Sequence, residues 1–153
     1  MKVLMIYDTV SPAKVTGKVA ELVAMGIKES GTTVDSYFVE DAGKVNVGEY
    51  DLLVVGAPTM AWRPSKRMKE YLAGLKGTGF SGKLAAAFDT QMESGLSGNA
   101  TKHMEKALTT VGFKIAAPAL ISYVETQDKR YRLKAGEEEK AKAWGRELAK
   151  AVP

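Results

Sequence analysis

Three short, uninterrupted apolar runs recur along the chain: Val3-Leu4-Met5-Ile6-Tyr7, Leu52-Leu53-Val54-Val55-Gly56 and Leu84-Ala85-Ala86-Ala87-Phe88. Each gives way to polar or turn-forming residues soon after its end. A strand with one wet face alternates apolar and polar side chains, whereas a strand covered on both faces does not. The runs therefore predict central strands of a sheet buried on both sides. They fall far short of the roughly 18 apolar residues that a membrane span needs. The first run is also too short for a signal peptide and ends at Asp8, so a cytoplasmic protein is expected.

Between the runs the hydrophobic period changes. Val15, Val19, Leu22, Val23 and Ile27 fall at helical spacing before Ser30-Gly31, where the glycine is a helix stop. Residues 32–39 are β-branched and aromatic and predict a second strand. Residues 41–50 are polar and hold at most a short helix. Pro58 is expected to end the third strand, and Pro64 and Ser65 to open a helix with an inner stripe of Met68, Tyr71, Leu72 and Leu75. The fourth strand is expected to end at Asp89-Thr90, followed by a loop over 91–98. The next helix buries Met104, Ala107, Leu108 and Val111 and stops at Gly112. Residues 114–124 predict a fifth strand, with Pro118 marking an edge or a break. A polar stretch, 126–136, precedes a last helix that opens on Glu137-Glu138-Glu139. Those charges and Lys150 suit the dipole at its two ends. Its inner face is Ala141, Trp144, Leu148 and Val152, with Gly145 allowing close approach to the sheet.

Strands and helices thus alternate about five times over one domain, residues 1–153. That alternation predicts an α/β fold with a doubly wound parallel sheet and helices on both faces. Such sheets bind ligands beyond the carboxyl ends of their strands, which selects the loops 8–16, 57–65 and 89–98.

Composition removes several chemistries. There is no Cys among the 153 residues, which excludes disulfides, thiolate metal sites and cysteine nucleophiles. A single His, His103, excludes a multi-histidine metal centre. It falls on the exposed side of its helix. The net charge of +4 comes from 22 basic and 18 acidic residues that are interspersed, with no basic block of five. Nucleic-acid binding is not favoured.

Two nucleotide motifs nearly match. Gly77-Thr78-Gly79-Phe80-Ser81-Gly82 fits G-x-G-x-x-G, and with Lys83 it fits all but the last position of a P-loop, where Leu84 stands. Both motifs require a strand before and a helix after. Here the order is reversed, so the segment is a connector at the wrong edge of the sheet. The loop after the first strand carries more. It enters a helix, where backbone amides and the dipole attract anions, and it offers Thr9, Ser11 and Thr16 hydroxyls with Lys14 as a cation. A polar turn with Thr16 as N-cap accounts for it equally well.

Tyr7-Asp8-Thr9 with Thr16 ahead of Val19-Ala20 resembles the first loop of flavodoxins, and Val54-Val55-Gly56-Ala57-Pro58-Thr59 their second. Ala86-Ala87-Phe88-Asp89-Thr90, Gly112-Phe113 and the closing Trp144-Gly145-Arg146-Glu147 resemble stand-alone flavodoxin-like proteins of prokaryotes. The resemblance covers nearly the whole chain. It implies a five-stranded sheet of order 2-1-3-4-5 and one non-covalent FMN. It places the FMN phosphate on Thr9, Ser11, Lys14, Val15 and Thr16. It places the flavin ring between Thr59-Met60-Ala61-Trp62 and Asp89-Thr90-Gln91, with Trp62 stacked on the ring or anchoring its loop. Met60 and Met92 would line an apolar pocket. Arg63 is either a cation for a reduced flavin or a surface arginine beside a helix start. Asp8 and Asp89 end strands at one edge, as turn-forming or capping carboxylates or as an acid/base pair.

The resemblance implies electron carriage between redox partner proteins by a monomer or weak homodimer. Two alternatives stand beside it. The loop Ser11-Pro12-Ala13-Lys14-Val15-Thr16 is about two residues longer than the usual phosphate loop, and Pro12 removes one backbone donor. This motivates a binding or regulatory module that has lost FMN. A flavin-dependent oxidoreductase acting on a quinone or a protoporphyrinogen is the other alternative. The chain is basic where the long-chain flavodoxins that carry electrons are usually acidic.

Overall fold

The computed structural model describes residues 2–10, 14–60, 63–75, 79–93 and 99–152. The chain runs β1 (Lys2–Tyr7), α1 (Val15–Lys28), β2 (Thr33–Phe38), β3 (Leu52–Met60), β4 (Arg63–Pro64), α2 (Lys66–Ala73), β5 (Leu84–Met92), α3 (Ala100–Thr110), β6 (Lys114–Ile115), β7 (Leu120–Gln127), β8 (Arg130–Leu133) and α4 (Glu137–Ala151). Two short 3₁₀ turns, Val39–Asp41 and Val47–Glu49, fill the polar stretch after β2. The sheet order is β2-β1-β3-β5-β7-β8. Its first five positions are parallel throughout and follow the expected 2-1-3-4-5 order.

The apolar runs occupy the middle of this sheet for the expected reason. Leu4, Ile6, Leu53, Val55, Ala85 and Ala87 meet Met68 and Leu72 of α2 and Met104 and Leu108 of α3 on one face. Val3, Met5, Val54, Ala86 and Phe88 meet Val19, Val23 and Ile27 of α1 and Ala141 and Leu148 of α4 on the other. Both faces are covered, so alternation has no physical basis in these strands.

Two glycine sites set close approaches. Gly56 lies beside Phe88 in the β3–β5 register, and a Cβ there would overlap the Phe88 ring. Gly26 of α1 and Gly145 of α4 face each other's helix backbone, with no room for a Cβ at either. Gly145 therefore serves contact with α1 and not with the sheet, a correction to its predicted role.

Four other features differ from expectation. Pro58 does not end β3, which continues to Met60 and turns back antiparallel onto β4. Pro64 thus closes a β-hairpin, and α2 begins only at Lys66. β5 runs on to Met92, so Asp89, Thr90 and Gln91 are strand residues. The fifth strand is broken into β6 and β7 across residues 116–119, the break that Pro118 marked in the sequence and so no departure from it. A further strand, β8, pairs antiparallel with β7. Its turn residues Asp128 and Lys129 have φ of 52° and 64°, the left-handed pair of a two-residue hairpin.

The Gly-rich segment before β5 lies at the amino ends of the strands. Gly77 and Thr78 fall outside the described residues. Phe80 stacks on Phe113 at 4.9 Å, and Lys83 Nζ donates to the carbonyls of Gly48 and Tyr50. It is a connector. No described helix is long and apolar enough to cross a membrane.

Candidate functional site

The carboxyl ends of β1, β3, β5 and β7 meet at one rim, where parallel strands leave their backbone groups to loops and helix ends. A cleft of about 230 Å³ opens there. Pro58, Thr59 and Met60 form one wall; Thr90, Gln91 and Met92 form another. Val10, Val15 and Thr16 close the α1 side, and Val124 and Tyr131 the β7–β8 side. Its volume is below the 300–1,000 Å³ usual for whole ligands, so it suits an embedded ring system rather than an entire cofactor.

The cleft has an unusual surface. Among the described residues five large apolar side chains are strongly exposed, and four of them line it: Val10, Met60, Met92 and Tyr131, each 41–48% exposed. Scattered exposed apolar residues need no explanation, but a cluster at one concavity marks a binding site.

The α1 side is prepared for an anion. The first intrahelical bond runs from Lys18 N to Lys14 O, so the amides of residues 15–17 precede it. Lys14 is the N-cap residue, left-handed at φ 52°, with no side-chain cap. Thr16 is thus not the N-cap, a correction. Its hydroxyl is buried and bonded to the Thr90 hydroxyl at 2.7 Å, tying α1 to β5 behind the cleft. There is no acidic residue in the first turn of α1. The Thr9 hydroxyl oxygen is buried and has no hydrogen-bond partner among the described residues. A buried unpaired hydroxyl costs stability unless a ligand completes it.

The two rim aspartates have different partners and form no acid/base pair. Asp8 is fully buried and held by Arg67 of α2, with Nη2 2.7 Å from Oδ1 and Nε donating to Oδ2 at 3.2 Å. Arg67 also binds Glu40 at 3.0 Å, lies over the Phe38 ring and donates to the Thr9 carbonyl. Its guanidinium is raised further by these carboxylates. Asp89 is also fully buried. Its Oδ2 accepts from Thr59 Oγ1 at 2.6 Å and Gln91 Nε2 at 2.7 Å. Desolvation outweighs these bonds and pushes the carboxyl up to about 6. Thr59 in turn accepts from the Ala100 amide at the start of α3. Thr59 and Asp89 therefore shape the walls, while Asp89 is buried behind the lining residues Thr59 and Gln91 that bond to it.

Of the sequence-predicted residues, Val15, Thr16, Thr59, Met60, Thr90 and Gln91 line the cleft together. Thr9 and Lys14 line an adjoining hollow with Tyr7, Gly17 and Phe38. Ser11, Ala61 and Trp62 lie outside the described residues. Sequence reasoning missed Val10, Val124, Tyr131 and Arg67. Tyr131 and Leu133 do show period-two spacing, which was available as a strand signal. His103 is exposed, as expected.

No family model matches the chain. A flavodoxin of Aquifex aeolicus (strain VF5) is 39% identical over 94 residues, 58% of this chain and 49% of the relative, so the match spans about half the relative's length. Oxidised Flavodoxin 1 from Bacillus cereus superposes with a TM-score of 0.82 at 20% identity, over 100% of both chains. A flavodoxin from the domain Archaea gives 0.80 at 21% identity, over 98% of this chain and 97% of that one. Rubredoxin oxygen:oxidoreductase of Desulfovibrio gigas gives 0.78 at 22% identity, covering 98% of this chain and 35% of that protein. The chain is flavodoxin-like, and its fold is theirs.

Proposed function

We propose that the chain is an FMN-binding electron-transfer protein that uses the rim cleft for the flavin. The observation that carries this reading is the clustering of the exposed apolar side chains Val10, Met60, Met92 and Tyr131 around one concavity beside an anion-ready helix start. An aromatic, partly apolar ring joined to a phosphate has the two chemistries that this juxtaposition accepts.

The residues present fit that group. The unpaired Thr9 hydroxyl, the amides of residues 15–17 and Lys14 would hold the phosphate. The Met60 wall and the Met92–Tyr131 wall would enclose the ring and exclude water. Thr16 and Thr90 would fix the separation of phosphate and ring through their mutual bond. When bound, FMN supplies the electron chemistry; the protein supplies binding, orientation and electrostatics. No side chain need exchange a proton with a substrate. The flavodoxin match in Aquifex aeolicus supports the same reading.

The test is a pair of fluorescence titrations on flavin-free protein, one with FMN and one with riboflavin, which lacks the phosphate. FMN is expected to bind at one per chain and at least about tenfold more tightly, a difference of about 1.4 kcal/mol. Thr9→Val and Lys14→Ala are expected to narrow that gap and leave riboflavin binding unchanged. Equal affinities would remove the phosphate from the first loop. Absence of both would leave a flavodoxin-shaped module without its cofactor.

A further inference from the structure

The cleft mouth has a charge pattern that the FMN reading does not use. Arg63 opens β4, which turns back beside Met60. The turn after β7 carries Lys129, followed by Arg130 of β8. All three are exposed and form no ion pair among the described residues. Two carboxylates on the β5 and β7 side are taken up in ion pairs: Glu93 with Lys134 and Glu125 with Arg132. Glu40, at the far edge beyond β2, is taken by Arg67. Asp128 in the hairpin turn, Asp41 after β2 and Glu21, which lines the hollow beside Lys14, form no ion pair among the described residues.

The β7–β8 hairpin dominates this arrangement. β7 runs parallel to β5, and their pairing ends at Met92 and Val124. β7 continues to Gln127, so the turn at 128–129 stands beyond the carboxyl rim where the cleft opens. Tyr131 points into the cleft and Leu133 into the core, while Arg132 alternates to the other face and pairs with Glu125. β8 is also an outer strand of the sheet, and its cations block edge-to-edge pairing with another copy. An apolar centre of Met60, Met92 and Tyr131 flanked by Arg63 on one wall and by Lys129 and Arg130 on the other is the complement of a protein face that is apolar at its centre and acidic at its border.

We propose that the cleft mouth, with the β7–β8 hairpin tip as its main contact, is the docking surface for an acidic protein electron carrier. The proposal rests on the FMN reading for its purpose but not for its contacts. Charge complementarity of this kind acts chiefly on association and is weakened by salt.

Isothermal titration of the protein with added FMN decides it, using an acidic iron–sulfur ferredoxin and a basic cytochrome c as probes at about 20 mM and about 200 mM salt. The ferredoxin is expected to bind, losing about tenfold or more in affinity between the two salts, and the cytochrome is expected not to bind. The pair Lys129→Glu and Arg130→Glu is expected to weaken ferredoxin binding about tenfold with an unchanged melting temperature and FMN affinity. Lys28→Glu, at the opposite end of α1, is expected to change nothing. Preference for the cytochrome, ferredoxin binding indifferent to salt or to the hairpin pair, or no ferredoxin binding would each overturn the proposal. FMN uptake is recorded on the same samples. Uptake without ferredoxin binding defeats the docking surface alone; ferredoxin binding without uptake defeats the FMN reading and leaves the docking surface standing.

Discussion

The same three strands behave in opposite ways along their length. In their amino-terminal halves Val3 to Ile6, Leu52 to Val55 and Ala85 to Phe88 are almost completely buried, and every side chain is spent on packing. Within five residues of that core the strands and the residue after β1 bury two carboxylates, Asp89 and Asp8, and expose Met60 and Met92. Burying charge and exposing methionine both work against folding. A sheet that was only a scaffold would reverse both choices. The rim therefore departs from local stability where a binding site is formed, and the body supplies the stability that permits it.

This contrast is sharpest where substitution should hurt most. Gly56→Ala, in the body, places a methyl into the Phe88 ring and is expected to cost about 3 kcal/mol or more in urea unfolding, the upper range for overpacking. A neutral result would mean the two strands can part at low cost. Arg67→Ala, behind the rim, leaves Asp8 buried without its cation. The expected result is a clear loss of stability in urea unfolding, smaller than for a fully buried pair because the arginine is itself 38% exposed. It should also loosen FMN, since Arg67 holds the Thr9 carbonyl.

Asp89→Asn tests the rim from the other direction. Its folded carboxyl is raised from 3.8 to about 6, so the folded state binds the proton more tightly than the unfolded chain. The stabilisation is full below the ordinary value and is lost as pH rises through about 6. Relative to wild type, the asparagine variant should therefore match it near pH 4 and exceed it near pH 8 by roughly 2 kcal/mol. Measuring unfolding free energy for both proteins across that range checks the sign; a variant weaker at high pH would show that the charge is well solvated. Tyr131→Ser should have the smallest effect on stability, within about 0.5 kcal/mol, because half of its surface is already wet. Its effect should fall on flavin affinity instead, visible in the same fluorescence titration.

Much of the body was legible because its signal is local. Uninterrupted runs, helical spacing at Val15, Val19, Leu22 and Val23, and the three glutamates at the start of α4 each report on their own element. The rim was less legible because its decisive contacts are not local. Nothing near Asp8 in the chain announces Arg67, 59 residues away. Pro58 and Pro64 carry ordinary stop and start signals, yet Pro58 stays within β3 beside Thr90 and Pro64 pairs with Thr59 in a hairpin. β8 was hidden in a polar stretch whose turn uses Asp128 and Lys129 at positive φ without a glycine. The first-loop residues Thr9, Ser11, Lys14 and Thr16 were legible from their own chemistry at a helix start, the second-wall residues were reached through resemblance, and the cleft brings most of the described ones together. Tyr131 required the fold, since only the β7–β8 pairing returns it to the rim.

The central claim is that the rim cleft holds FMN. Amide chemical shifts of the isotopically labelled, flavin-free protein, followed as FMN is added, test it most directly. The account predicts saturable changes at one FMN per chain, concentrated at residues 9, 14–17, 59–60, 90–92 and 131. Changes centred instead on the groove between Pro118 and Trp144, or none at any FMN concentration, would contradict it.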